Sequence, residues 1–377
     1  MKIKSMLLGS AAAMVAVSGA QAADAIVVEP EPVEYVRVCD MYGAGWFYIP
    51  GDANNTCLKF GGYVQAEYWV NHDHEEDDVS DHNSRVRTRF QVEANNETQY
   101  GTLSSRIWYL DQVTDGDDPH DEFSSSEGFN ESNGFFRASF SLAGFRIGYD
   151  ATDGSIWNTY GGYGFYTAVN SGDYGFETAM FIEYNGSFGD NFNYGIGIVD
   201  AGASGAPGQP DIHAGISTSM GSLSIGAAVA YDSSESAFAY RVRGDLDFSS
   251  FLPGGSFGAW WRADHGDTDY VKGHQWGVTA KMNLLDNVQL FGGYSQYNSE
   301  TEADTRRWTA GVKWDIAPGL WVIVEHAKTL QEEGTEAVAA YYDTDPTSAT
   351  YLTTVPATLK ATGGASGATW IRMRRSF

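Results

Sequence analysis

The chain has 377 residues, of which 44 are glycine, 10 are proline and 14% are aromatic. Its formal net charge of -26 argues against nucleic-acid binding, because phosphate binders carry basic patches on a basic background. The mean hydropathy of -0.31 is normal for a soluble protein but does not exclude a membrane β-barrel, in which only every second residue faces lipid.

Residues 1–22 have the features of a secretory signal. Lys2 and Lys4 give a basic start, an apolar stretch too short to span a bilayer follows, and Ala20-Gln21-Ala22 fits an A-x-A cleavage site. We therefore expect an exported mature chain that begins at Ala23 and carries two positive charges fewer than the full sequence.

Two cysteines, Cys39 and Cys57, lie in residues 23–57, ahead of the strand-rich region 58–377. An exported protein folds in an oxidising compartment, so we expect these cysteines to form a disulfide that fixes the segment before the first strand. A metal site is a poor alternative, since two thiols make an incomplete ligand set. Residues 23–57 are interpreted as a periplasmic or lumen-lining segment.

From Leu58 onward, apolar and polar residues alternate through about sixteen segments that are separated by turn-like sequences. In the first segment, which ends at Val70, the even positions are mostly apolar and the odd positions include Gln65 and Glu67. This period of two predicts strands with one apolar face. The segment is long enough to cross the hydrocarbon layer when tilted.

Arginine occupies every second position at the start of the second segment, Ser84 to Asn95, and recurs on the non-apolar face of the next three segments. Side chains alternate along a strand, so these guanidinium groups point one way while Val86 and Phe90 point the other. In a soluble protein the polar face would meet solvent, whereas here we expect an apolar outside and a polar inside. The set comprises Arg85, Arg87, Arg89, Arg106, Arg137 and Arg146.

Short turns alternate with longer polar connections, which include Asp111–Asn133, Asp150–Glu177 and Thr329–Gly367. Short turns on one rim and long loops on the other are typical of outer-membrane barrels, with the short turns in the periplasm. Aromatic residues near the segment ends predict interfacial girdles. These residues are Tyr68, Trp69, Trp108, Tyr109, Tyr149, Tyr184, Tyr231, Trp276, Tyr294 and Trp314.

Both ends of the chain carry family-specific sequence. The leader, Val36 to Gly45, Phe47 to Gly51, and Thr56 to Leu58 together resemble the porins of alphaproteobacteria, the general porins of Rhizobiales and relatives. Ala368 to Phe377 looks like the terminal strand of an outer-membrane protein, and its final Phe377 resembles the assembly signal that the outer-membrane insertion machinery reads. The middle of the chain matches mainly in its strand pattern.

The resemblance implies a homotrimer of sixteen-stranded barrels in the cell outer membrane, surrounded by lipid and lipopolysaccharide. Each barrel would hold its own water-filled pore for passive diffusion of small hydrophilic solutes and ions, without catalysis or a cofactor. The third long loop, Asp150–Glu177, would fold into the lumen and narrow it, although it lacks a familiar acidic signature motif. The carboxylates expected to face the arginines are those of Asp150, Asp153, Asp173 and Glu177.

Three alternatives remain open from sequence. In a substrate-selective channel, for example for sugars, Trp157 and Tyr160 would belong to an aromatic slide along the solute path. An outer-membrane enzyme needs a fixed serine, histidine and acid on the barrel wall, and no such set is evident in the sequence. A secreted lectin-like sandwich would be soluble without detergent.

The charges predict opposing effects on ion selectivity. The inward arginines favour anions, whereas acidic stretches such as 72–78 and 115–118 would concentrate cations at the pore mouth. We expect a weak cation preference. The histidine and aspartate residues of 72–82 are interpreted as solvated loop charges rather than as a metal site.

Overall fold

The computed structural model describes residues 37–72, 82–115, 133–150, 156–162, 179–200, 209–265, 271, 273–299, 304–338, 341–342, 354–355 and 358–377. Nearly all of these residues lie in antiparallel strands. Among them, no helix is long and apolar enough to cross a membrane.

Sixteen long strands form the main sheet, and three two-residue strands accompany them. The short strands are β1 Phe47–Tyr48, β17 Tyr341–Tyr342 and β18 Thr354–Val355. The long strands are β2 Cys57–Asn71, β3 His82–Thr98, β4 Gly101–Asp115, β5 Asn133–Leu142, β6 Phe145–Asp150, β7 Ala179–Phe188, β8 Phe192–Asp200, β9 Asp211–Met220, β10 Leu223–Asp232, β11 Ala237–Asp247, β12 Ser256–His265, β13 Gly273–Leu285, β14 Val288–Ser299, β15 Thr305–Ala317, β16 Leu320–Val338 and β19 Thr358–Ser376. The helix α1 covers Ile156–Gly161.

The last strand closes the sheet on the first. Each long strand pairs with its neighbour in sequence, and β19 pairs with β2, with Ala368 opposite Asn71 and Ser376 opposite Tyr63. The result is a closed sixteen-stranded antiparallel barrel, as the alternation predicts. Closure leaves no unpaired sheet edge, which is what a spanning β-structure requires in lipid.

The barrel has the inverted polarity expected from the sequence. On β2, Phe60, Val64 and Tyr68 point outward and are 44–49% exposed, whereas Gln65 and Glu67 point inward and are buried. Apolar side chains therefore cover the outside of the barrel, where lipid replaces water as their environment.

The predicted loop Thr329–Gly367 is wrong in its outer parts. β16 continues to Val338 and β19 begins at Thr358, so the two strands form a long hairpin that runs on with one irregularity between Gln331 and Gly334. The alternation fades in these parts, where the sequence is mainly polar, small or charged, while backbone pairing continues.

Two of the predicted girdle aromatics face the lumen instead of the lipid. Trp69 shares the inward face of β2 with Gln65 and Glu67 and is fully buried. The ring of Trp108 lies beneath the guanidinium group of Arg89. The face of the strand that carries a ring decides whether the ring meets the lumen or the lipid. A position near a strand end does not decide it.

Residues 37–56 are fastened to the rim that carries the short turns. The expected Cys39–Cys57 disulfide is present, with 6.1 Å between the Cα atoms. β1 pairs with the start of β2, and the hydroxyl of Tyr42 donates to Glu97 at 2.8 Å. Desolvation and this neighbouring carboxylate raise the pKa of Tyr42 to about 12, so the phenol keeps its donor proton at neutral pH.

Candidate functional site

The arginine ladder of β3 points into the barrel. Arg85 is 2% exposed, and Arg87 and Arg89 share its face, whereas Val86 and Phe90 point outward and are about half exposed. The alternation that predicted one shared face for the three guanidinium groups is therefore confirmed, and that face lines the lumen.

Glu67 links the ladder to the last strand of the barrel. Its Oε2 accepts a hydrogen bond from Arg85 Nε at 2.6 Å and forms an ion pair with Arg85 Nη2 at 2.6 Å. Its Oε1 accepts from Arg372 on β19. Next to this group, Arg374 donates to Gln65 at 2.7 Å. One carboxylate thus holds two buried guanidinium groups at the seam between β19 and β2.

Aromatic rings hold further guanidinium groups. Arg89 lies 4.6 Å from the ring centroid of Tyr63 and 4.4 Å from that of Trp108. Arg137 lies over the same Trp108 ring at 3.9 Å, and Arg374 lies over Tyr63 at 4.1 Å. A delocalised guanidinium group stacks well on such rings, which fixes its orientation without neutralising its charge.

We call this surface the arginine wall. Arg87 completes it by donating two hydrogen bonds to Gln112, at 2.8 and 3.0 Å. The wall consists of Arg85, Arg87, Arg89, Arg137, Arg372 and Arg374.

A short helix occupies the lumen on the other side. α1 packs on the inward faces of β8 to β11, where Ile156, Trp157 and Tyr160 are buried against small residues such as Ala228. Arg241 fastens the helix by donating to Asn158 at 2.7 Å and to the carbonyl oxygen of Gly162 at 2.6 Å.

Glycines on three strands make room for α1. A Cβ atom at Gly215 would lie 2.6 Å from the Tyr160 side chain, one at Gly195 would lie 2.7 Å from the Tyr160 ring, and one at Gly226 would overlap the Tyr160 carbonyl oxygen. These positions form a seat for the helix, and a glycine inside a strand commonly marks such a close approach.

α1 lies across the barrel from the part of the arginine wall at the seam between β19 and β2. The helix packs mainly on β9 and β10, which are eight strands around the barrel from β19 and β2 respectively. In a sixteen-stranded barrel this is half of the circumference, so the helix faces the seam that Glu67 organises.

A family model described as the Porin subfamily matches residues 24–350. The chain belongs to the porin family. The alphaproteobacterial resemblance is also confirmed, since Porin Omp2b of Brucella suis biovar 1 (strain 1330) is 33% identical over 353 residues, covering 87% of this chain and 93% of the relative. Porin Omp2a of the same strain is 32% identical over 363 residues, with the same coverage.

Solved structures agree on the fold. The anion-selective porin from Comamonas acidovorans matches with a TM-score of 0.57 and 14% identity, covering 85% of this chain and 100% of that one. The outer membrane channel DcaP of Acinetobacter baumannii matches with a TM-score of 0.56 and 12% identity, covering 86% and 99%. This porin is thus an outer-membrane channel for general diffusion, and its family indicates a channel rather than an enzyme.

Two of the predicted lumen arginines, Arg146 and Arg106, lie outside the arginine wall and contact other carboxylates. Arg146 follows the Ala143-Gly144 turn closely and pairs with Glu183 at 2.6 Å, near the short-turn rim. Arg106 is half exposed and lies 3.7 Å from Glu93. The strand pattern predicted the face of these arginines, but it could not predict their height in the barrel.

Several predicted residues lie outside the described part of the porin. They are the signal residues 1–22, most of the 72–82 stretch, and Asp153, Asp173 and Glu177. Asp150 ends β6 opposite Arg137, and only its backbone is described. Recognition of Phe377 by the assembly machinery stays a prediction. Among the described residues, no cluster of three or more histidine, cysteine, aspartate or glutamate side chains could hold a metal ion.

The proposed aromatic slide is wrong for the two members that the structure describes. Trp157 and Tyr160 are 1% and 5% exposed, because they fill the space between α1 and the barrel wall. Sequence analysis also missed the role of Glu67. The available signal was a carboxylate on the inward face of β2, directly opposite Arg85 in the pairing of β2 with β3.

Proposed function

We propose that the pore of this porin is narrowest between α1 and the arginine wall, and that solutes are sorted there by size and charge. The observation that carries this proposal is the placement of α1 across the lumen from the β19–β2 seam of the arginine wall. Asp150, which ends β6, and Asp153, Asp173 and Glu177 of the connection that follows it are the proposed acidic counterparts of the wall.

The wall and the connections between strands carry charges of opposite sign, so they would have opposite effects on ion selectivity. Six arginines make up the wall, whereas the described carboxylates close to it are Glu67 and Glu325, the latter accepting from Thr309 at 2.7 Å. The connections 73–81 and 116–132 each contain six aspartate or glutamate residues and no lysine or arginine. An acidic mouth would concentrate cations, while the wall would favour anions at close range.

The porin is further proposed to form a homotrimer through the face that includes β3 and β4. Ser84, Thr88 and Ser105 point outward there, between apolar residues such as Val86 and Phe90. The outward residues of β8 include Ile196 and Ile198. Hydroxyl side chains gain little from contact with lipid tails, so a protein surface is the better cover for this face.

Ion selectivity is expected to change with salt concentration. At about 0.01 M salt the screening length is about 30 Å, so the loop carboxylates act throughout the mouth, whereas at about 1 M it is about 3 Å and only groups beside the permeating ion act. Reversal potentials measured under a fixed salt ratio should therefore show cation preference at low salt and a shift toward anions at high salt.

Neutralising the wall separates the two contributions. The double variant Arg87→Gln/Arg89→Gln should lose the anion shift at high salt and keep the cation preference at low salt. The same recordings report the assembly, since a trimer closes in three equal steps. Reversal potentials that ignore both salt concentration and the double substitution would rule out the proposed constriction.

A further inference from the structure

A cavity of about 580 Å³ that is open to the lumen lies beside α1, toward the short-turn rim. Thr159 and Tyr160 of the helix contribute to its lining, together with inward side chains of β4 to β9. The volume falls within the ~300–1,000 Å³ range of small-molecule sites. Side chains with hydroxyl or amide groups dominate the lining, among them Thr102, Ser141, Thr159, Asn185, Asn193 and Ser217.

The charges of this cavity cancel. Among its described lining residues, the charged ones are Arg146 and Glu183, which form an ion pair at 2.6 Å. The cavity therefore presents polar but neutral groups, in contrast to the arginine wall. Such a surface does not select for ions, and it suits a neutral polar solute.

Hydrogen bonds hold part of the lining in place. The hydroxyl of Tyr160 donates to Asn185 at 2.9 Å, and the same amide donates to Glu183 at 2.8 Å. Asn193 and Ser217 face each other across β8 and β9, with 3.5 Å between Nδ2 and Oγ. Apart from Tyr160, these groups stand on barrel strands, which place them more precisely than a loop would.

We propose that this cavity, here called the hydroxyl pocket, is a subsite for a neutral polyhydroxylated solute such as a mono- or disaccharide. Hydroxyl and amide groups each donate and accept, as the hydroxyls of a sugar do. The inference rests on the proposed function, because the pocket adjoins the constriction and holds a solute that enters or leaves it. The pocket differs from an aromatic slide, since its polar atoms and not ring faces contact the solute.

The test is planar-bilayer conductance of the purified porin with increasing maltose on both sides. The wild-type protein should show a saturable decrease in current. The double variant Asn193→Leu/Ser217→Ala removes both polar groups, because Leu has nearly the shape of Asn and Ala lacks only the hydroxyl of Ser. It should weaken the apparent maltose affinity about tenfold, the effect of losing one to two hydrogen bonds. Ion current without sugar should stay close to that of the wild type.

Gln289→Leu is the matched control. Gln289 follows its short turn on β14 as Asn193 does on β8, but it lies outside the hydroxyl pocket, so maltose affinity should be unchanged. A decrease that is linear in maltose and equal in all three proteins would reflect viscosity and overturn the subsite, as would saturation that the double variant leaves intact. Failure of the proposed function is a separate result, because it appears as reversal potentials that ignore salt concentration and Arg87→Gln/Arg89→Gln.

Discussion

Replacing Glu67 by glutamine is expected to destabilise the barrel by about 3–5 kcal/mol, because the change leaves buried guanidinium groups without their carboxylate. Arg85 and Arg372 are 2% and 5% exposed, and both donate to this one side chain. Without its charge, the two arginines repel each other at the seam where β19 closes on β2. Urea unfolding of the protein in detergent micelles measures the loss.

The matched control for this change is Glu93→Gln. Glu93 also points inward, but the side chain of its partner Arg106 is 51% exposed, and 3.7 Å separates Arg106 Nε from Glu93 Oε1. Solvent screens such a pair, so the expected loss is about 0–1 kcal/mol. Equal unfolding midpoints for the two variants would show that Glu67 does not organise the seam.

Replacing Gly226 by alanine is expected to lower the unitary conductance of the pore. The added Cβ would overlap the carbonyl oxygen of Tyr160, which belongs to the backbone of α1 and cannot rotate away. Because the strand is fixed in the barrel, the helix has to move toward the arginine wall. Overpacking of this kind costs about 1–3 kcal/mol, which α1 can lose while the barrel stays folded.

Gly244→Ala is the control for the seat. Gly244 lies on the adjacent strand β11, and a Cβ there would find its nearest neighbour, the Ser224 carbonyl oxygen, at an ordinary 3.9 Å. Bilayer recordings should give wild-type conductance for this variant and a reduced value for Gly226→Ala. Conductance unchanged in both variants would mean that α1 does not border the narrowest part of the pore.

The parts of the fold that lipid imposes could be predicted from the sequence. An outward side chain at every second position must be apolar where it meets lipid. The resulting alternation is enough to predict strand β2 and the inward direction of the arginines on β3. The outer halves of β16 and β19 could not be predicted from alternation, because these parts of the strands do not require an apolar face. The prediction for Trp69 is wrong, because a position near a strand end suggests the membrane interface whereas its place on the inward face of β2 puts it in the lumen.

The site depended more on contacts that are distant in sequence. Arg372 meets Glu67 across 305 residues, and this contact exists only because β19 closes on β2. α1 is six residues long, too short to be stable alone, and its packing on the wall accounts for its helical form. The glycines of the seat are visible in the sequence, but no sequence pattern indicates that Gly226 contacts Tyr160. That contact forms only when α1 packs inside the closed barrel.

One face of β3 lines a water-filled lumen, and lipid or protein covers its other face. Single cysteines at two adjacent positions test this arrangement, because both native cysteines are joined in the disulfide and do not react. In Arg87→Cys, a bulky thiol-specific reagent added during a bilayer recording should reduce the current. In Thr88→Cys, the same reagent should leave the current unchanged. Reduced current in Thr88→Cys, or no effect in Arg87→Cys, would contradict the inward placement of the arginine wall.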